Sequence, residues 1–185
     1  MFIKASGFSL SDINENKGYV SINNKKLLTD LSNNYIQEIT EYNMYGKLRG
    51  SIETFMHSIL KKYTVHLHPI QVNKILILEK SKSIINRLFP NSLFIDYITP
   101  GIKVHDEIKK KYNNEKIIFL DNHGVIITTN NFNAIKTTID NIINKCEKYI
   151  STDYSKYKIT NKISRFIFEK FNKDVISYLS QEKKI

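Results

Sequence analysis

Three histidines carry the pattern with the clearest chemistry. His66 and His68 stand two residues apart in Thr64-Val65-His66-Leu67-His68, a run that reads as a strand closed by Pro69. Alternate side chains of a strand share a face, so both imidazoles project the same way. Two ring nitrogens on one face can take one ion, at about 2.0–2.1 Å each for zinc. The third, His123, lies at the break after the most apolar strand, Lys116-Ile117-Ile118-Phe119-Leu120, and is followed by Gly124. A glycine there permits a sharp bend that aims the preceding side chain into a cleft. Three neutral imidazoles with one position left for water or substrate make a catalytic zinc arrangement rather than a structural one. His-x-His pairs also occur in ordinary strands, and spacing alone leaves that reading open. His105, early in a Lys-rich helix and without a visible partner, is assigned no role.

The candidate proton carrier is Glu53. A glutamate in a first helical turn is favoured by the helix dipole, which is its plain structural reading. Beside a metal it would serve as a general acid or base. His57, four residues on, shares its helix face and could orient a substrate or simply pack. Ser6-Gly7 after the first strand and Gly50-Ser51 before the helix could cradle a phosphate with backbone N–H groups; taken singly, each is a turn.

The apolar period alternates along the chain between strand-like and helix-like. Residues 2–5 and 18–22 read as short strands, whereas 26–45 carries apolar residues without clean stop signals. A helix is expected over Ile52–Tyr63, with Ser51 as its N-cap and Ile52, Phe55, Met56, Ile59 and Leu60 on one face. After the His-x-His strand come helices near 70–78 and 82–89, a strand over 93–98 and a helix over 103–112. Strands 116–120 and 125–128 flank His123, and two long amphipathic helices finish the chain, the first over 135–150 and the second marked by Ile163, Ile167, Phe171, Val175 and Leu179. Such alternation indicates a three-layer α/β or α+β domain.

Composition narrows the class. At 185 residues the chain suits one compact domain with a real core, and its balance of 41% hydrophobic and 25% charged residues is that of a globular protein. No run approaches the roughly 20 apolar residues that cross a bilayer, and the N-terminus lacks the pattern of a secretory signal. Cys146 is the only cysteine, so no intrachain disulfide and no multi-thiolate metal site can form. A cytoplasmic location without membrane attachment is the expectation. The net charge of +10 admits an anionic partner, but the Lys residues are scattered and do not interleave with stacking aromatics, which argues against nucleic acid.

Taken in order, these segments resemble the class II aldolase/adducin family. Ile3-Lys4-Ala5-Ser6-Gly7 is similar to its strand ending in a Ser-Gly turn, and Arg49 to His57 to its motif with an acidic residue four before a histidine. Val65-His66-Leu67-His68-Pro69 matches its His-x-His-Pro, Tyr97-Ile98-Thr99-Pro100-Gly101 a turn common in the group, and Asp121-Asn122-His123-Gly124-Val125-Ile126 its Asn-His-Gly segment. The resemblance spans residues 2 to about 150. It implies a single α/β/α domain with a mainly antiparallel central sheet, residues 1–185, without the helix and Gly-Asn-x-Ser loop with which the family usually begins. It implies a divalent metal, usually zinc, on His66, His68 and His123, Glu53 as the catalytic acid/base, and Ser6, Gly7 and Ser51 as substrate or phosphate contacts. It further implies a homotetramer acting on a sugar or sugar phosphate, cleaving or forming a carbon–carbon bond through a metal-stabilised enediolate. Epimerases and dehydratases of the family use the same platform, and adducin-like members are non-catalytic scaffolds; both remain alternatives. Tyr178 is a candidate to reach a neighbouring site, though a surface helix is the simpler place for it.

Overall fold

The computed structural model describes residues 1–151, and the final helix expected over 163–179, with Tyr178, lies outside them. Met1–Cys146 form one compact unit, which holds every strand among the described residues and every histidine of the chain, and Glu147–Ile185 form a second. No helix among the described residues is long and apolar enough to cross a membrane.

The fold is mixed α/β. Its strands fall into two sheets rather than one. The first has the order β1-β2-β3 and is antiparallel throughout, with β1 at Phe2–Lys4, β2 at Tyr19–Ile22 and β3 at Asn43–Tyr45. Between β2 and β3 runs α1 (Asn24–Ser32), whose N-cap Asn23 accepts a hydrogen bond from the Lys26 backbone N–H at 3.1 Å. That cap satisfies one of the first-turn donors a helix leaves open. Leu27 and Leu31, one turn apart on α1, sink into a core with Ile3, Val20, Ile22, Ile39, Tyr42 and Phe55.

The second sheet holds the histidines. Its order is β4-β7-β6-β5, with β4 at Tyr63–Leu67, β5 at Leu93–Ile95, β6 at Ile117–Leu120 and β7 at Gly124–Thr129. The β4–β7 and β6–β7 pairs are antiparallel, and β5–β6 is parallel. β7 is buried along its whole length, as a strand paired on both sides should be. Helices α3 (Ile70–Leu76) and α4 (Ser81–Leu88) lie between β4 and β5 in the chain, and α5 (Ile102–Lys111) between β5 and β6. Met56, Ile95, Val104, Ile108, Ile118, Leu120 and Ile126 form its core. α6 (Ala134–Ile150) follows, with Thr138, Ile142 and Cys146 buried on one side.

The helix expected over Ile52–Tyr63 is cut to one turn, α2, at Thr54–His57, and its N-cap is Glu53 rather than Ser51. One local and one long-range demand end it early. The Ser58 hydroxyl takes the Phe55 carbonyl at 2.6 Å, and the Lys61 N–H bonds the Thr128 hydroxyl at 2.8 Å, drawing the chain into β4. Side-chain bonds to backbone of this kind compete with helix continuation. The short helix is still firmly held, because Phe55 packs in the first core and Met56 in the second.

Candidate metal centre

Each ligand candidate is placed by a different element. His66 lies on β4 and His68 just beyond its end, held in register by pairing such as His66 opposite Ile126 and Leu67 opposite Val125. Cross-strand hydroxyls of Thr64 and Thr128 meet at 2.8 Å and reinforce that register. His123 sits in the three-residue turn Asp121-Asn122-His123 that joins β6 to β7, closed by Leu120 opposite Gly124. The bend is made by Asn122, whose φ of 53° is left-handed. Asparagine tolerates that region better than most residues.

Gly124 therefore acts differently from the expected hinge. A Cβ built on it would lie 2.5 Å from the Leu67 carbonyl oxygen, 2.6 Å from the His68 ring and 3.3 Å from His66 Nε2. Only a residue without a side chain leaves the three rings room to meet. Gly124→Ala is expected to displace His68 and weaken zinc binding by about 10- to 100-fold, the range for disturbing a ligand's support; isothermal titration with zinc checks it, and wild-type affinity would refute this role.

The rings do converge. Centroids of His66 and His68 are 4.6 Å apart, of His66 and His123 4.8 Å, and of His68 and His123 4.9 Å. One ligand atom from each of Glu53, His66, His68 and His123 lies within 4.8 Å of the others. His66 Nε2 and His68 Nε2 are 3.2 Å apart. Two ligands at about 2.05 Å on a tetrahedral ion sit about 3.3 Å from each other, so the spacing fits a shared ion. The donor set, imidazole nitrogen with one carboxylate, suits zinc and its first-row neighbours.

Glu53 stands behind His66. Its Oε1 is 2.9 Å from His66 Nδ1, which donates to it and so leaves Nε2 with its lone pair toward the cluster. Burial alone would push the Glu53 carboxyl up, but the His66 hydrogen bond and the electrostatic pull of the His66, His57 and His123 imidazoles outweigh it and hold the group below its ordinary range. It is a carboxylate at neutral pH.

Burial also keeps the imidazoles ready to bind. It pushes His123 down to about 4, with His66 and His68 adding to the effect and Glu53 opposing it, and it lowers His68, with His66 adding to the effect and Glu53 opposing it. His57 is held at about 4 by burial, against the pull of Glu53. An unfolded chain takes up these protons near 6.5, so between that value and about 4 it binds more protons than the native one. Stability must then fall as the pH drops through this window. For His57 the loss amounts to about 2 kcal/mol at pH 5, at about 1.4 kcal/mol per pH unit; partly exposed His123 contributes less. Urea unfolding of the metal-free protein at pH 7.5 and 5 measures this, and His57→Gln should flatten the dependence.

Of the other residues singled out, Ser51 lines a cavity with Glu53, His57 and His66, and its Oγ accepts the Glu53 N–H at 3.3 Å. Ser6 and Gly7 are exposed in the turn after β1, where the Ser6 N–H bonds the Arg49 carbonyl at 2.8 Å. His105 departs from expectation: it is 2% exposed and its Nδ1 meets Asp106 Oδ1 at 3.0 Å, because α5 turns that face toward the protein interior. Lys4, for which the sequence pattern predicts no role, lines the Glu53 cavity as well. Its one signal in the sequence is a position on the strand just ahead of the Ser-Gly turn.

No protein-family profile and no curated protein matches the chain. Among solved structures it is similar to the N-terminal class II aldolase domain of a conserved protein from Thermoplasma acidophilum, with a TM-score of 0.71 and 22% identity over 80% of this chain and 73% of that one. The chain has the class II aldolase fold. A looser likeness, with a TM-score of 0.48 and 11% identity over 60% of this chain and 49% of that one, is to an aldolase II superfamily protein from Pseudomonas syringae. Within the class II aldolase fold of this chain, the start of α2, the end of β4 and the β6–β7 turn together present a Glu/His3 group that could hold a metal ion.

Proposed function

We propose that this protein is a metal-dependent lyase that cleaves or forms a carbon–carbon bond in a sugar or sugar phosphate. The observation that carries the reading is the 3.2 Å approach of His66 Nε2 to His68 Nε2 with His123 beside them and a carboxylate on the far side of His66. His66, His68 and His123 would hold a divalent metal, zinc being the first choice for such a set. When bound, the ion supplies Lewis acidity that stabilises the negative charge left as the bond breaks.

The chain's own groups do the rest. Glu53, ionised at neutral pH and fixed by His66 through Oε1, has Oε2 free to take a proton from a substrate hydroxyl and return it later. His57, neutral and half-buried at the end of α2, keeps a second positive charge away from that carboxylate. Phe55 and Met56, anchored in two cores, hold the carboxylate in place. Zinc and cytoplasmic operation as a homotetramer belong to the same proposal. Retro-aldol assay of the zinc-loaded protein on a panel of ketose phosphates, with products identified by mass spectrometry, tests it. Two shorter carbonyl fragments are expected; an isomer or a dehydrated product would replace the lyase assignment with an epimerase or dehydratase.

A further inference from the structure

The two sheets end at strands that border a common space. β1 is an edge of the first sheet and β4 an edge of the second, and no pairing joins them. Phe2 of β1 and Thr64 and Val65 of β4 line two cavities together. One, of about 210 Å3, ends at Glu53 and His66. The other, of about 660 Å3, reaches Asn24, Lys62 and Phe132. The larger falls in the range of about 300–1,000 Å3 that suits a ligand of some size.

Backbone groups of successive residues point to opposite sides of an antiparallel strand. At β1, Met1 exchanges bonds with Ile22, and the Ala5 N–H meets the Gly18 carbonyl at 2.9 Å, so these residues turn toward β2. Phe2 and Lys4 therefore turn outward, where only the Lys4 carbonyl is taken, by the Ser51 N–H at 3.2 Å. On β7 the Thr128 N–H goes to the Lys116 carbonyl, just ahead of β6. That leaves Thr129, Ile127 and Val125 to bond β4 through Tyr63, Val65 and Leu67. Thr64 and His66 then aim their backbone groups at the open edge. Among the described residues the N–H groups of Phe2, Lys4, Thr64 and His66 have no backbone partner. β4 also lacks the lysine, acidic residue or proline that guards many exposed edges.

A strand laid between the two edges would pair with both, as peptides do when they extend a sheet. Two further features say what it carries. Lys61 and Lys62 line the larger cavity and no carboxylate does so among the described residues. Asn24, on the same wall, has a buried Oδ1 without a hydrogen-bond partner. We infer that the slot between β1 and β4 binds an extended acidic peptide segment of a partner protein. Main-chain hydrogen bonds to Phe2, Lys4, Thr64 and His66 seat it, its carboxylates lie toward Lys61 and Lys62, and a donor meets Asn24. A second copy of this chain is the poorer occupant, because two copies of net charge +10 repel. The inference is independent of the lyase reading, since it uses the backbone of β4 and not its imidazoles.

The probe is a fluorescein-labelled peptide, Glu-Val-Thr-Val-Thr-Glu, titrated into the full-length protein and followed by fluorescence polarisation. Saturable binding below about 1 mM is expected. It should weaken about tenfold when lysine replaces both glutamates, and vanish when the peptide's amides are N-methylated and cannot donate. Thr64→Pro removes one outward N–H while sparing the bonds to β7, and Phe2→Pro does the same on β1; each should weaken binding about three- to tenfold. Amide hydrogen exchange locates the peptide: exchange at Phe2, Lys4, Thr64 and His66 should slow about tenfold or more, with Val65, already bonded to β7, unchanged. No binding up to about 1 mM, equal affinity for either control peptide, normal binding by both proline variants, or exchange slowed along one edge only would overturn the inference. A dimer of the protein alone, with these four amides already protected, would give the slot to a second copy and overturn it as well. Should Thr64→Pro fail to fold, Phe2→Pro and the exchange rates decide. Peptide binding without zinc uptake would keep this slot and remove the metal reading.

Discussion

Replacing His123 with alanine is expected to lower zinc affinity by roughly a thousandfold. A closed set of zinc ligands holds the ion with about 10–16 kcal/mol, so each of three or four carries about 4 kcal/mol. His123 is the one imidazole of the cluster supplied by the β6–β7 turn, whereas the other two come from the end of β4 and the residue beyond it. His105→Gln is the matched control. That imidazole is buried and bonded to Asp106, outside the cluster, and its loss should leave zinc affinity unchanged. Competition titrations with a chelator of known affinity measure both. Equal effects of the two substitutions would mean that zinc, if bound, is held elsewhere.

The second large effect is on turnover. Glu53→Gln keeps an oxygen that can accept from His66 Nδ1, so the ring stays oriented and zinc binding should weaken about tenfold at most. The amide cannot take up a proton. The rate of carbon–carbon cleavage should therefore fall by about 10²–10⁴. The split is the informative part: a carboxylate that merely braced His66 would lose metal and activity together, and a variant that retained wild-type turnover would remove Glu53 from the chemistry.

How much of this is legible in the sequence depends on how local the cause is. The His66–His68 face follows from the two-residue period of a strand, and β4 bears it out. The break at His123 is visible as well, but its mechanism is not: Asn122 makes the bend, and Gly124 is required because Leu67 and His68 approach it from another strand. The same distance in sequence explains the shortened α2, since nothing between Ile52 and Tyr63 announces that Lys61 will be claimed by Thr128. Helix α1 is not read from the sequence, where 26–45 offers no clean stop signal, although Asn23 supplies a local cap and Leu27 and Leu31 a local stripe.

The most direct test of the metal centre is diffraction from zinc-soaked crystals at the zinc absorption edge. Three imidazoles this close predict a single strong anomalous peak within bonding distance of His66, His68 and His123, lost in the His123→Ala crystal. A peak at some other group of side chains, with these three rings left bare, would contradict it.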